Sequence, residues 1–325
     1  MIKHNRNYFL WIIFIWFIIF DSLIFSSISL NLKIETQELS PRMTNSWIIN
    51  NQIHIKDNWS ESEAIYEFIT GSGTFNNPYK IENITINNHR SNGDAIIIEN
   101  SLDYFMIRNC IIKSSGAIIT DTEIKIINST KGTVINNTIL SNVGYGIHLI
   151  KSYNNSVLEN AISNNTYIGI GLNESYNNFI NLNKVNFHGR DTVNGFGIVL
   201  VNSHNNSILR NIASHNTGIG ILLYNSSYNN VSINVANNNY LGLHLSQNSN
   251  YNTIMGNNLK GNKYCYTVDD DSEGNVIESN DCGSVKFEYF FFLASFGVVF
   301  ALTLIGVIIF IRKRRKFKKG KNELK

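Results

Sequence analysis

The chain has 325 residues, with 27 basic and 24 acidic side chains and a net charge of only +3. Much of the excess sits in Arg312, Lys313, Arg314, Arg315 and Lys316. The remainder is close to neutral and offers no basic face to replace counterions on a phosphate backbone, which excludes nucleic acid as a partner.

At the N-terminus, Lys3 and Arg6 precede an apolar run from Tyr8 to Phe20, and the small residues Ser26, Ser27 and Ser29 follow. A positive, then apolar, then small order is that of a secretory signal peptide over residues 1–29. Because Leu23, Ile24 and Phe25 prolong the apolar character, an uncleaved signal anchor is the alternative. Residues 30–80 are read as a cap and entry segment, since an open first coil would expose core and strand edges.

Residues 81–284 repeat. Units open at Gly146-Ile147-His148-Leu149, Gly169-Ile170-Gly171-Leu172, Gly197-Ile198-Val199-Leu200, Gly220-Ile221-Leu222-Leu223 and Gly242-Leu243-His244-Leu245. One asparagine series runs in phase through Asn155, Asn178, Asn206, Asn229, Asn252 and Asn275. A second lies five residues later at Asn160, Asn183, Asn211, Asn234, Asn257 and Asn280, and extends backwards through Asn137 and Asn109 to Asn83. Between the markers, runs of four or five residues alternate apolar and polar and are rich in β-branched residues, which is a strand pattern. Three short strands and three turns fit one repeat of about 23 residues, and a chain that winds up one strand spacing per repeat is a parallel β-helix. The reading is therefore all-β, with about nine coils.

In this arrangement each asparagine stands above the last and the amides form ladders. The expectation is that asparagine holds each turn by accepting the left-handed conformation, and that the glycines supply positive φ at a third corner. Ile147, Leu149, Val157 and Ile162 are expected to point inward and stack on their equivalents.

The units Gly-Ile-x-Leu-x-x-Ser-x-Asn-Asn-x-Ile-x-x-Asn resemble the right-handed parallel β-helix repeats of the pectin-lyase-like superfamily. They are most similar to the NosD-type "periplasmic copper-binding" β-helix and to carbohydrate-binding and sugar-hydrolysis domains. The resemblance covers about residues 81–280, and Gly71 to Asn83 resembles the entry segment of such helices. It implies the fold. Activity would need further motifs, and the paired aspartates and Gly-His-Gly of polygalacturonases and the Asp-Pro-His of alginate epimerases are absent from the sequence.

Tyr153, Tyr176 and His204 share one phase beside the first ladder, with Tyr228 and Tyr251 one residue off it. Such a column is either a carbohydrate platform or an aromatic ladder that stabilises the stack. The stretch His188-Gly189-Arg190-Asp191-Thr192 lengthens one coil, and Arg190 and Asp191 are its candidate ligand-binding groups; a tolerated insertion is the alternative. Asp269, Asp270 and Asp271 are candidate calcium ligands, or else a solvated turn; no other cofactor is expected. His148 and His244 occupy one outward position four coils apart and cannot share a copper ion. Cys265 and Cys282 fall in the last coil and either pair or pack as buried hydrophobes, which leaves Cys110 over.

Tyr289 to Ile311 is uncharged and apolar. As a helix it spans roughly 34 Å, enough to cross a bilayer core of about 30 Å. The basic run at 312–325 then stays cytoplasmic. These features predict a membrane-anchored surface protein, non-catalytic, that binds a polysaccharide or a protein partner. A polysaccharide lyase or hydrolase and a NosD-like accessory in copper insertion are the alternatives.

Overall fold

The computed structural model describes residues 47–87, 93–113, 118–190 and 193–283, with the backbone alone for Arg190, Val193 and Asn194. The signal segment 1–29, Asp191, the apolar segment 289–311 and the tail 312–325 lie outside the described residues. Among the described residues no helix is long and apolar enough to cross a membrane.

The alternating runs form short strands, and each coil gives one strand to each of three faces. In one coil these are Tyr145–Ile150 on a long face, Ser156–Leu158 on a middle face and Ala161–Ser163 on a short face. Each pairs in parallel with its counterpart one repeat on: Ile147 with Ile170, Val157 with Ile180, and Ile162 with Val185. The long-face sheet holds nine strands. The middle-face sheet holds ten, of which Ile69–Thr70 runs antiparallel to Tyr79–Glu82. The short face has six strands and continues as single bridges through Ile212, Val235, Asn258 and Asp281. The described chain is thus a parallel β-helix whose nine stacked long-face strands make eight coil-to-coil steps.

Register stacks like on like in the core. Ile147, Ile170, Ile198, Ile221 and Leu243 form one column, and Leu149, Leu172, Leu200, Leu223 and Leu245 another. All are buried, and burying each such side chain contributes roughly 1.5–3 kcal/mol.

The corners carry the amide ladders. Asn211 shows the unit: its Oδ1 accepts from the backbone N–H of Asn183 (2.9 Å) and from Asn183 Nδ2 (2.9 Å). Its own N–H and Nδ2 donate to Asn234 Oδ1, and Nδ2 also reaches the Ile180 carbonyl at 2.9 Å. The first series makes this pattern from Asn155 on, and the second from Asn137 on. Two further ladders escape the sequence reading. A serine ladder runs through Ser101, Ser129, Ser152, Ser175, Ser203, Ser226, Ser249 and Ser272, each backbone N–H donating to the next hydroxyl. A third amide ladder links Asn142 to Asn165 and Asn216 to Asn239 and Asn262, with His188 in the gap.

Three expectations change. First, the ladder asparagines are not the left-handed residues. That conformation falls on the residue before each rung: Asn154, Asn177, Asn205, Tyr228 and Tyr251 at one corner, and Asn136, Glu159, Leu182, Arg210 and Ile233 at the next. The reversal in backbone direction there lets the following amide turn inward. Second, Asn109 and Asn83 are not rungs. They hold left-handed positions (φ 54° and 58°) and join a partly exposed outer ladder with Asn136. Cys110 takes the rung, its N–H donating to Asn137 Oδ1 at 3.0 Å. Third, Gly146, Gly169, Gly197, Gly220 and Gly242 do not have positive φ. They are glycine for room. A Cβ at Gly220 would lie 2.7 Å from Asn239 Nδ2 and from the Gly242 carbonyl oxygen, the space that the third ladder occupies.

Winding begins before residue 81. Trp47–Ile49 pairs with Ile84–Asn87 on the short face, and Ile53–Lys56 with Ile96–Glu99 on the long face. The cap is the short helix Trp59–Ile65. Trp59 is buried, stacks on Tyr79 and Phe105, and donates its indole N–H to Ser101 Oγ, closing the foot of the serine ladder. At the other end a disulfide joins Cys265 and Cys282 across a Cα separation of 5.5 Å. Cys110 is free, and burial pushes its thiol pKa up to about 12.

Asn211→Ala leaves buried donors and acceptors on both neighbouring coils without partners, so we expect a loss of about 2–4 kcal/mol in chemical denaturation. Asn205→Ala, at the exposed left-handed position beside a rung, should cost only about 1 kcal/mol. Gly220→Ala should destabilise by about 1–3 kcal/mol through overpacking alone; a neutral result would overturn the steric account of these glycines.

Candidate functional site

On the long face, the outward side chains of successive strands enclose a cleft of about 400 Å³. One wall is aromatic. Tyr145 stacks flat on His148, with centroids 4.1 Å apart, and meets Tyr167 edge-on at 5.7 Å; Tyr167 meets Phe196 edge-on at 6.0 Å. Gly171, Val199 and Leu222 form the floor, and Asn173 and Tyr224 stand at the far ends of their strands. Gly171 makes the recess, since a Cβ there would lie 2.7 Å from the Tyr145 ring.

The cleft is uncharged. Burial, with a smaller contribution from Lys125, pulls the His148 pKa down to about 3. Burial, aided by Tyr167, pushes the Tyr145 hydroxyl up to about 12. No Asp, Glu, Lys or Arg is among the described lining residues. Lys125 points its charge into an ion pair with Asp94 at 2.6 Å. A cleft of apolar walls with a few polar groups is built for binding. Hydrolysis of a glycosidic bond uses a pair of carboxylates, which this lining does not supply.

A second aromatic surface lies at the corner beside the first asparagine ladder, where the sequence placed its platform. Tyr153 and Tyr176 stack at 5.1 Å and 2°. His204 keeps their phase but turns to the next coil, its Nδ1 accepting the Ser227 N–H at 3.1 Å. Tyr228 and Tyr251 form a second stack, 5.3 Å apart, with both residues more than half exposed (59% and 57%). Both are left-handed (φ 60° and 54°) where other coils carry Lys131, Asn154, Asn177, Asn205 and Gly274. That conformation costs about 1–2 kcal/mol per non-glycine residue, whereas one stacked ring pair returns about 0.5–1.5 kcal/mol. The stack does not offset the strain of both backbones. Leu182 and Ile233 bear similar strain at the next corner, without a ring pair.

The other sequence candidates disperse. Asp269 accepts from Ser246 Oγ at 2.6 Å and lies 3.9 Å from His244, while Asp271 takes the Ser272 hydroxyl. Among the described residues no three His, Cys, Asp or Glu side chains gather to hold a metal ion. His148 and His244 sit on strands four positions apart in the long face, and Cys110 is buried in the core. The lengthened coil is a hairpin of Gly189–Arg190 with Val193–Asn194, directly before the cleft residue Phe196. The Arg190 side chain and Asp191 are outside the described residues.

His188 does not belong to the bulge. It is fully buried in the third ladder, with Nδ1 accepting the Asn165 N–H at 3.2 Å. Imidazole reproduces the acceptor of asparagine but not its placement for Asn165 Nδ2, and both that atom and His188 Nε2 are without partners among the described residues. Burial holds the His188 pKa down at about 4.

The cleft was missed because each ring in it is unremarkable alone. The available signal was an aromatic residue just ahead of the repeat glycine, as in Tyr145-Gly146, Tyr167-Ile168-Gly169 and Phe196-Gly197.

Two family descriptions match the chain in turn. "Right handed beta helix region" covers residues 43–191, and "Periplasmic copper-binding protein (NosD)" covers residues 190–286. The fold is a right-handed parallel β-helix, in keeping with the first of these descriptions. No curated protein matches the sequence. Among solved structures, the periplasmic alginate epimerase AlgG is 16% identical over 62% of this chain and 59% of its own, with a TM-score of 0.49. PfbA, a surface adhesin of Streptococcus pneumoniae, is 16% identical over 62% of this chain and 60% of its own, at 0.45. The AlgE6 A-module, a mannuronan C-5 epimerase of Azotobacter vinelandii, is 11% identical over 64% and 75%, at 0.43. The chain thus spans about 59% of the length of the epimerase AlgG, and none of these likenesses bears on activity.

His188 is neutral when folded, and its pKa rises from about 4 in the fold to about 6.5 when unfolded. The unfolded chain binds the extra proton, so stability is full above about pH 6.5 and falls as pH drops towards 4, by on the order of 2–3 kcal/mol. His188→Asn completes the ladder. We expect it to raise the melting temperature at pH 5 and to flatten the decline between those values; an unchanged slope would remove His188 as its source.

Proposed function

We propose that this chain is an exported, non-catalytic protein that binds a neutral saccharide in the long-face cleft, held at the cell surface by the apolar segment 289–311. The observation that carries the reading is the cleft itself: an aromatic wall with Asn173, hydroxyls and a neutral imidazole, and no charged group. Ring faces take the C–H faces of a pyranose, and the sparse polar groups orient its hydroxyls. A uronate would bring a carboxylate into a cleft with no cation to meet it, at a desolvation cost. The surface location rests on the two apolar ends of the sequence and agrees with the periplasmic and surface proteins among the similar folds.

The test is an array of neutral and uronate oligosaccharides against the full-length chain, paired with an assay for released or unsaturated products. We expect neutral sugars to bind without turnover. Tyr145→Ala and Phe196→Ala should each weaken binding about tenfold with little change in melting temperature. Unsaturated products, or uronate binding that ignores both substitutions, would overturn the reading. Because neither His148 nor Tyr145 changes ionisation between about pH 5 and about pH 9, affinity should be flat across that range.

For the anchor, the full chain should stay with membranes in alkaline carbonate, and a chain ending at residue 283 should be released.

A further inference from the structure

We infer that Asn154 and Asn205 carry N-linked glycans; this rests on the exported reading above and is independent of what the cleft binds. Both residues open an Asn-x-Ser/Thr triplet, Asn154-Asn155-Ser156 and Asn205-Asn206-Ser207, the acceptor pattern for oligosaccharide transfer in exported chains. An asparagine-rich chain meets this pattern often, so the sequence alone selects no site. The corner geometry does. At the corner beside the first ladder the left-handed residue stands outside and the rung after it turns inward. Asn154 and Asn205 are exposed, at φ 54° and 56°, while Asn155 and Asn206 are buried. The next residue opens the middle-face strand, and Ser156 and Ser207 there are only partly buried. Amide and hydroxyl of each triplet thus stand on the solvent side, with the rung beneath them. Among the described residues neither group of either triplet has a side-chain hydrogen-bond partner.

Other triplets of the same pattern are committed to the fold. In Asn128-Ser129-Thr130 the amide donates to Asn100 Oδ1 at 2.8 Å, and Thr130 is buried. In Asn225-Ser226-Ser227 the amide donates to Asn202 Oδ1 at 2.7 Å, and Ser227 Oγ accepts the Asn250 N–H at 3.0 Å. In Asn173-Glu174-Ser175 the hydroxyl is a buried rung of the serine ladder and donates to the Leu149 and Asn173 carbonyls. No rung of the two asparagine series qualifies, because the residue two places on points into the core, as Val157 and Ile208 do. The transfer joins Nδ2 to the anomeric carbon of a lipid-phosphate-linked oligosaccharide. The N–C bond forms as the C–O bond to phosphate breaks, the lipid phosphate leaves with the electron pair, and one Nδ2 proton passes to a base of the transferase. An amide nitrogen that bonds into the fold is held back from this attack, which favours Asn154 and Asn205 over Asn128 and Asn225. The two acceptors lie two coils apart on one edge, roughly 10 Å by strand spacing.

The test is glycopeptide mass spectrometry on the full-length chain isolated from the cells that make it. We expect added glycan mass on the peptides that hold Asn154 and Asn205. Ser156→Ala and Ser207→Ala keep the acceptor amide and the left-handed asparagine, so the fold should persist by circular dichroism. Each should abolish the glycan at its own triplet and leave the other in place. A glycan that persists on Asn205 in Ser207→Ala would overturn the assignment, and so would glycan on Asn128 and Asn225 with Asn154 and Asn205 bare. A membrane-impermeant amine reagent applied to intact cells separates this inference from the exported reading. Labelled chain with no glycan on Asn154 or Asn205 would overturn the acceptor sites and leave export standing. Chain that is neither labelled nor glycosylated would overturn both.

Discussion

The structure depends on one interaction repeated at the corners: a buried side-chain acceptor that takes the backbone N–H of the coil below. Strand faces satisfy their own backbone groups through parallel pairing. A chain that turns three times per coil, however, exposes N–H groups at each bend to an apolar interior. An unpaired buried donor costs roughly 1–3 kcal/mol, and nine stacked coils multiply that cost. Asparagine answers it twice, because Oδ1 receives the donor from below while Nδ2 bonds a carbonyl of the earlier coil and the next amide, as at Asn160. Serine answers the same need with one hydroxyl, in the turn that leaves the long face. The isoleucine and leucine columns supply the driving force, but the ladders fix the register and so decide which side chains stand above which.

That register makes both candidate surfaces. Positions on the long face recur one strand spacing apart, so aromatic residues scattered through the sequence become adjacent. Tyr145, Tyr167 and Phe196 form a wall because the backbone holds them in rows. The corner stacks follow the same rule: Tyr228 and Tyr251 meet because each stands next to a ladder asparagine. A scaffold this regular offers no concave active centre of its own. Recesses arise where the repeat is broken by an outward glycine, as at Gly171, and strain collects where a bulky residue takes a left-handed position, as at Tyr228. Departures from the repeat, more than the repeat, locate the places where a ligand fits.

The ladder also shows what substitutions a rung tolerates. Cys110 and His188 both stand where neighbouring coils place asparagine. Cys110 keeps its backbone N–H bonded upward, while its thiol has only weak acceptors within reach, the Arg108 carbonyl at 3.3 Å and the Ile81 carbonyl at 3.7 Å. His188 keeps the acceptor and loses the donor geometry. His188 lies between the Asn165 and Asn216 rungs, whereas Cys110 stands at the lower end of its column, above Ile84 and below Asn137, so register is kept in both places.

Spacing along the sequence determined the fold, both predicted amide ladders and the inward columns such as Ile147 and Leu149, because a period of about 23 residues admits few architectures and register follows from it. It did not determine which residue bears the left-handed backbone, since Asn154 and Asn155 are chemically alike and only the direction of the turn separates them. Nor did it reveal why the repeat glycines are glycine, because the amides that crowd Gly220 come from other coils. The serine ladder was legible in its spacing but overshadowed by the asparagines. Tertiary structure alone decided that Tyr145 lies flat on His148, that His204 turns away from Tyr176, and that Asp269, Asp270 and Asp271 do not converge. Those outcomes depend on side-chain direction at neighbouring coils, which the order of residues along one chain does not encode locally.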